Sequence, residues 1–411
     1  MTAPNGAIVF NNSTGSDTTA SGMGSANVYG AGASITSASA VVTGINTTGV
    51  AAGDLLWVQS STGRQFSIIA SVDSGTQVTC DNNFDVTESS RTWAIGGKRA
   101  TLDNTDSRKM WLDILSVYAA EAKLETDQTL TSAISATAQN QGGGGYLSSA
   151  DGTIKTITQS GNDSHFKGGG STLYLKNIKL DASGTPTTAI FVWDNGVGSL
   201  PVYAQNCIFG DPTNTCHNLF YGGGSYQSTI QCYGCTIQNM TNSYAFQNGT
   251  VRSIFVDCMF RNNIYAVGFP GSSSGPSADL IKCIFVNNTH GVSVGRMSGT
   301  AISNCIFANN TTAIYFWITA PMRADNNLFV NNTTAIDNQH NADQLGASRV
   351  FYFNYFYNNT TKYSNQYDSG KFGDIDLTAD PFVDAANGDF NLNATNGGGG
   401  TLRSTNYTLG G

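Results

Sequence analysis

The stretch Lys282-Cys-Ile-Phe-Val-Asn-Asn288, followed by Gly291-Val292, returns as Asn304-Cys-Ile-Phe-Ala-Asn-Asn310 with Ala313-Ile314 and as Asn326-Asn-Leu-Phe-Val-Asn-Asn332 with Ala335-Ile336. Looser copies surround it: Asn206-Cys-Ile-Phe209, Gly234-Cys-Thr-Ile237, Asp257-Cys-Met-Phe260 and Phe353-Asn-Tyr-Phe356. The position that anchors each copy is Cys207, Cys235, Cys258, Cys283, Cys305, Asn327 and Asn354, in steps of 28, 23, 25, 22, 22 and 27 residues. That period fits one coil of a solenoid and is short for most two-helix repeats.

Within each copy, the anchor and the aromatic two places on share one face of a strand, because side chains alternate with a period of two. A paired asparagine then follows, at Asn262-Asn263, Asn287-Asn288, Asn309-Asn310, Asn331-Asn332 and Asn358-Asn359. Asparagine tolerates left-handed backbone angles and bonds neighbouring chain, which suits a corner that every coil must turn. The small-then-apolar pairs from Ala266-Val267 to Ala335-Ile336 predict a second strand. Coils stacked about 4.8 Å apart would place thiols above thiols, rings above rings and amides above amides. A structural ladder is therefore expected at Cys207, Cys235, Cys258, Cys283, Cys305, Asn327 and Asn354. A turn ladder is expected at Asn263, Asn288, Asn310, Asn332 and Asn359.

This phrase resembles the coil of the right-handed parallel β-helices of the pectate-lyase-like superfamily, strongly over residues 200 to 395 and more weakly over 120 to 200. The closing Asp380-Pro-Phe-Val-Asp384 and Gly388-Asp-Phe-Asn-Leu392 are similar to the tail that often ends such helices. The expected fold class is all-β: a single-stack right-handed parallel β-helix with a small N-terminal β module and a capping helix. Function does not follow from it, since the superfamily holds lyases, hydrolases, adhesins and phage tailspikes on one scaffold.

The expected divisions are a β module over 1–100, a capping helix and linker over 101–124, the β-helix over 125–395 and a Gly-rich tail over 396–411. Ala7–Phe10, Asp54–Val58, Phe66–Ala70 and Gln77–Cys80 read as strands of an antiparallel module. Ser107 to Lys123 reads as an amphipathic helix through Trp111, Leu112, Leu115, Tyr118 and Ala119, lying over the first coil. The tail is expected to fold over the last coil or to reach a neighbour.

Charged residues make up 12% of the 411 and the formal net charge is -8, so neither nucleic acid nor an anionic membrane is an expected partner. The opening Met-Thr-Ala-Pro-Asn-Gly-Ala has no basic segment or apolar core, and no signal peptide is expected in it. The reading is a virion or extracellular location, with release by lysis as one route. Five of the eight cysteines share the anchor position, which favours buried free thiols over disulfides. Cys232 and Cys235 form a lone Cys-x-x-Cys without a second pair or a histidine cluster, so no metal and no cofactor are expected.

A lyase would need a Lys or Arg base beside calcium-binding carboxylates, and a hydrolase two carboxylates set across the glycosidic bond. The acids of the regular coils, Asp181, Asp194, Asp211, Asp257, Asp279, Asp325 and Asp337, share no coil position. His290-Gly291 with Arg296 resembles part of the polygalacturonase signature, but there is no Asp-Asp, and Asn104-Thr-Asp106 precedes the helix. Those two residues are read as an exposed turn residue and a surface charge, and Asp257 with Lys282 as a surface ion pair. No catalytic residue is assigned.

The residue after each anchor reads Ile208, Thr236, Met259, Ile284, Ile306, Leu328 and Tyr355, an outward apolar stripe. Either the chain's own amino-terminal segment or loops cover it, or it is an intersubunit face. Tyr221, Tyr226, Tyr265, Phe269, Tyr315, Trp317, Tyr352 and Tyr357 are candidates for stacking on sugar rings. The expectation is a non-catalytic structural or attachment protein of a virion surface: capsid decoration, fibre or tailspike. Its expected partners are further copies of itself, with a trimer favoured, capsid or tail proteins, and a cell-surface glycan. The alternatives are a polysaccharide lyase or hydrolase and a secreted bacterial adhesin.

Overall fold

The computed structural model describes residues 8–10, 29–96, 98–99, 101–103, 121–135, 144–161, 163–167, 172–182, 189–193, 201–211, 218–222, 228–240, 251–268, 277–294, 299–316, 322–338, 349–364 and 371–404. Two compact units divide the chain, residues 1–183 and 184–411.

In the first unit, six antiparallel strands close into a barrel in the order Tyr29–Ile35, Val41–Thr43, Gln77–Cys80, Gly63–Ser74, Leu55–Ser60 and Glu88–Gly96, the last pairing back onto the first. Ile35, Val42, Leu56, Val58, Ile69, Val78, Phe84 and Ile95 fill it. Closure leaves no free edge. Ile8–Phe10, expected in this antiparallel module, pairs in parallel with Lys98–Arg99 and Glu121–Leu124 instead. It belongs to the first of three parallel sheets, which continues through Gly144–Ser149 and Thr172–Lys176. Gln128–Leu130, Lys155–Gln159 and Ile178–Ala182 form the second sheet, and Ile134–Ser135 with Phe166–Lys167 the third. The expected helix over Ser107 to Lys123 lies outside the described residues up to 120, and its last three residues are strand.

The second unit is the repeated phrase made solid. Its first sheet stacks Val202–Gln205, Ser228–Tyr233, Val251–Val256, Ser277–Ile281, Thr300–Ser303, Met322–Asp325, Arg349–Tyr352 and Lys371–Phe372, every pairing parallel. The second stacks the short strands that follow each anchor, from Ile208–Phe209 to Ile375–Asp376. The third holds Ala189–Trp193 with Asn218–Gly222, and the run from Tyr265–Gly268 through Thr361–Ser364. The fold is a right-handed parallel β-helix, the hand that parallel crossovers take almost without exception.

The stack does not run to residue 395 as expected. Phe382–Asp384 and Asp389–Leu392 form an antiparallel hairpin, and Gly399–Ser404 a short helix. The helix sits close because a Cβ at Gly399 would collide with the carbonyls of Asn393 and Pro381. Leu402 then packs, fully buried, with Phe382, Phe390 and Leu392 against the last coils.

Candidate functional site

Two of the corners that the coils turn are left-handed. One lies just before the anchor, at Asn206, Gly234, Asp257, Lys282, Asn304, Asn326, Phe353 and Gly373, with φ between 52° and 71°. The other is the first asparagine of each pair, at Asn262, Asn287, Asn309, Asn331 and Asn358, with φ between 50° and 56°. The paired asparagines thus divide their work: the first takes the strained angle and the second points inward. Asp374 is a further anchor that the sequence reading passes over, with Gly373 as its corner.

The inward residues bond from coil to coil. Asn263, Asn288, Asn310 and Asn332 are buried, and each backbone N donates to the Oδ1 of the next, at 3.0, 2.9 and 2.9 Å for the first three and 2.9 Å from Asn332 to Asn359. Their Nδ2 groups donate to the same oxygens and to a carbonyl of the preceding coil, for example Phe285 O from Asn310 at 2.9 Å. The amide that a left-handed corner turns away from the strand ladder is satisfied this way. The anchors do the same: Cys305 N donates to Asn327 Oδ1 at 2.9 Å, Asn327 N to Asn354 Oδ1 at 3.1 Å, and Asn354 N to Asp374 Oδ1 at 3.2 Å.

Seven cysteines are free and buried, and Cys216 is outside the described residues. Cys207, Cys235, Cys258, Cys283 and Cys305 lie on consecutive coils, each thiol donating to the carbonyl two residues back. Burial pushes the Cys283 thiol well above its ordinary value, and that of Cys80 in the barrel up to about 12. The rings from Phe260 through Phe285, Phe307 and Phe329 to Phe356 stack 4.7 to 5.0 Å apart within 10° of parallel.

The apolar stripe is covered over half its length. Ile306, Leu328 and Tyr355 are 2%, 0% and 4% exposed beneath the hairpin and Leu402, whereas Ile208, Met259 and Ile284 are half-buried. Among the described residues of this unit, the cover comes from the carboxyl end, Phe382 to Leu402.

On the outer face of the third sheet, the His290 ring stacks on Tyr265 at 4.5 Å and meets Tyr315 at 5.3 Å. Its Nδ1 is buried without a hydrogen bond, and burial lowers its pKa against the pull of Asp337, which Ser364 hydrogen-bonds. A neutral imidazole near a carboxylate has the make-up of a proton-transfer site. Arg296, Tyr226, Phe269 and Trp317 lie outside the described residues. Asp257 and Lys282 occupy adjacent left-handed corners, and their side chains form no ion pair with each other. The described residues bring no three potential metal ligands together.

Tyr352, Phe353 and Phe372 form a different kind of aromatic group, on the outward face of the first sheet and at its corner. Tyr352 is 6.3 Å from Phe353 and 5.6 Å from Phe372, tilted by 33° and 31°. Phe353 is 54% and Phe372 59% exposed. On the adjacent strand Arg323 bonds Asp325 at 2.8 Å, and Asp325 is the register partner of Tyr352.

No protein-family model matches the chain, and no curated protein matches it. Among solved structures it is similar to the catalytic unit of an α-1,3-glucanase from Streptomyces thermodiastaticus, at 10% identity and a TM-score of 0.33 over 86% of each chain. The A-module of a mannuronan C-5 epimerase from Azotobacter vinelandii matches at 12% identity and a TM-score of 0.31, over 67% of this chain and 96% of that one. A Pseudomonas phage tailspike matches at 11% identity and 0.31, over 92% of this chain and 67% of that one. At such distances no residue role is carried across. Among the described residues, no helix is long and apolar enough to cross a membrane.

Proposed function

We propose that the protein is a non-catalytic structural or attachment protein of a virion surface, of the decoration, fibre or tailspike kind, acting as a homo-oligomer with a trimer favoured. The observation that carries this reading is the pair of unbroken side-chain ladders. Every corner amide from Asn263 to Asn332 is held by the next coil's asparagine, and the phenyl column beside it is continuous. Interlocking of this density makes a stiff rod with few openings for a protease, which an attachment device exposed outside a cell requires. The less covered part of the stripe, the half-buried Ile208 and Met259 with Ile284 at the edge of the covered cluster, supplies the surface for further copies of the chain, since apolar surface of this kind marks interaction sites.

The native mass of the purified protein, read by light scattering, together with a gel of the particle or cell fraction that contains it, tests the proposal. A stable trimer and a band at fixed stoichiometry in particles support it; a monomer absent from particles overturns it. The second reading, a polysaccharide-cleaving enzyme, is favoured by the imidazole of His290 beside Asp337. Release of soluble sugar from a polysaccharide panel, lost in His290→Ala, would put that reading in its place.

A further inference from the structure

The corner before each anchor is left-handed, a conformation that glycine, asparagine and aspartate reach at least cost. Those residues, or the flexible Lys282, stand at every other such corner of the second unit; at 353 alone stands a phenylalanine, with φ 52°. Its ring is not there to fill a core, being 54% exposed. The coil below makes room for it: Gly373 is the next corner, and a Cβ there would run into the Phe353 ring. The ring thus lies against bare backbone at Gly373, with more than half of the residue exposed.

Of the neighbouring rings, Phe372 is exposed and Tyr352 half-buried. In the core of this unit the phenyl rings of successive coils stack within 15° of parallel and hide their faces against one another, as Phe191 and Phe220 do at 4.9 Å. Tyr352, Phe353 and Phe372 are instead splayed by 31° to 33°, which spends π-surface on the outside. Beside them lie the Arg323 guanidinium, 66% exposed, and the Asp325 carboxylate that it holds. An apolar protein surface would match the rings and leave this charged pair against nonpolar groups. A pyranose matches both, with C–H bonds on its face and hydroxyls around its edge.

We propose that Tyr352, Phe353 and Phe372 form a saccharide-binding platform that takes the face of a neutral hexopyranose, with Arg323 and Asp325 bonding its hydroxyls. This deepens the attachment reading and rests on it for its biological use, but its test is separate. Phe353→Asn removes the ring while giving the corner the residue it takes at Asn304 and Asn326, so the variant is expected to fold with a melting temperature at or above that of the parent. The probes are hexasaccharides of β-1,4- and α-1,4-linked glucose, β-1,4-linked mannose and β-1,4-linked N-acetylglucosamine, read by saturation-transfer NMR and calorimetry on the full chain. The expected result is transfer to the ring-face protons of at least one hexasaccharide, with affinity at least tenfold weaker in Phe353→Asn and in Phe372→Ala. Absence of transfer from every probe, or binding unchanged in Phe353→Asn, overturns the platform. So does a multimer of the parent that Phe353→Asn dissociates, because the rings then serve a protein contact. None of these outcomes is read by the particle gel, so the two proposals fail independently.

Discussion

Asn310 Oδ1 receives two hydrogen bonds from Asn288, from its backbone N at 2.9 Å and from its Nδ2 at 3.0 Å. One oxygen therefore closes both the corner of the coil above and the side chain that closes the corner above that. Asn310→Ala leaves the buried Asn288 amide without an acceptor and the Phe285 carbonyl without its donor. Losses of this kind cost about 1–3 kcal/mol per orphaned group. Urea unfolding should show a drop of at least about 2 kcal/mol, larger than that for Asn309→Ala at the exposed corner beside it.

Lys282 holds a left-handed angle, φ 56°, that its Cβ disfavours through its approach to the following carbonyl oxygen. Lys282→Asn keeps the corner polar and lowers that strain, so it should stabilise the chain by about 0.5–1 kcal/mol. Thermal melts of the two proteins, side by side, check the sign.

His165 is fully buried, and its Nε2 donates to the carbonyls of Asp181 at 2.7 Å and Ile157 at 3.2 Å. Burial drives its pKa down to about 4, below the 6.5 of an exposed imidazole. Between those values the unfolded chain binds the proton and the folded chain does not. Stability is therefore fully present above pH 6.5 and falls as pH drops towards 4, by about 3 kcal/mol from this group. Denaturation at a series of pH values should show that slope, and His165→Gln, which can still donate to the carbonyls, should flatten it.

Leu402 is the keystone of the cover over Ile306, Leu328 and Tyr355. Leu402→Asp puts a charge in that contact and should lift the hairpin and helix together, costing several kcal/mol locally. Increased binding of a hydrophobic dye and a rise in native mass would follow from the bared stripe. An unchanged dye signal would show that the hairpin holds without it.

The seven described thiols are buried. In the native protein none of the seven should react with a disulfide reagent over hours at neutral pH, and all should react at once in denaturant. Mass mapping of the labelled cysteines distinguishes this ladder from any reactive Cys216.

The regular coils were legible because a solenoid writes its contacts at short range. Cys283, Cys305 and Asn327 sit 22 residues apart and meet the same neighbours, so similar side chains recur and the period shows in the letters. The inward-facing second asparagine and the phenyl column follow from strand alternation alone. The left-handed corner before each anchor was hidden by its variety, since Lys282 and Phe353 occupy an angle that the asparagines at its neighbours would have signalled. The form of the ending was hidden as well: Asp380 to Leu392 reads as a closing tail, and it folds back as an antiparallel hairpin.

What the sequence determined by itself is therefore the coil: its period, its inward ladders and its polar corners, all set by contacts between residues one turn apart. Only the tertiary structure decided which outward surface stays open. The residues from Phe382 to Leu402 return across the second sheet and bury Ile306, Leu328 and Tyr355, while Phe353 and Phe372 remain exposed along the first, beside the half-buried Tyr352. Exposure of an outward side chain depends on where a non-repeating segment lands, and that segment shares no period with the residues it covers.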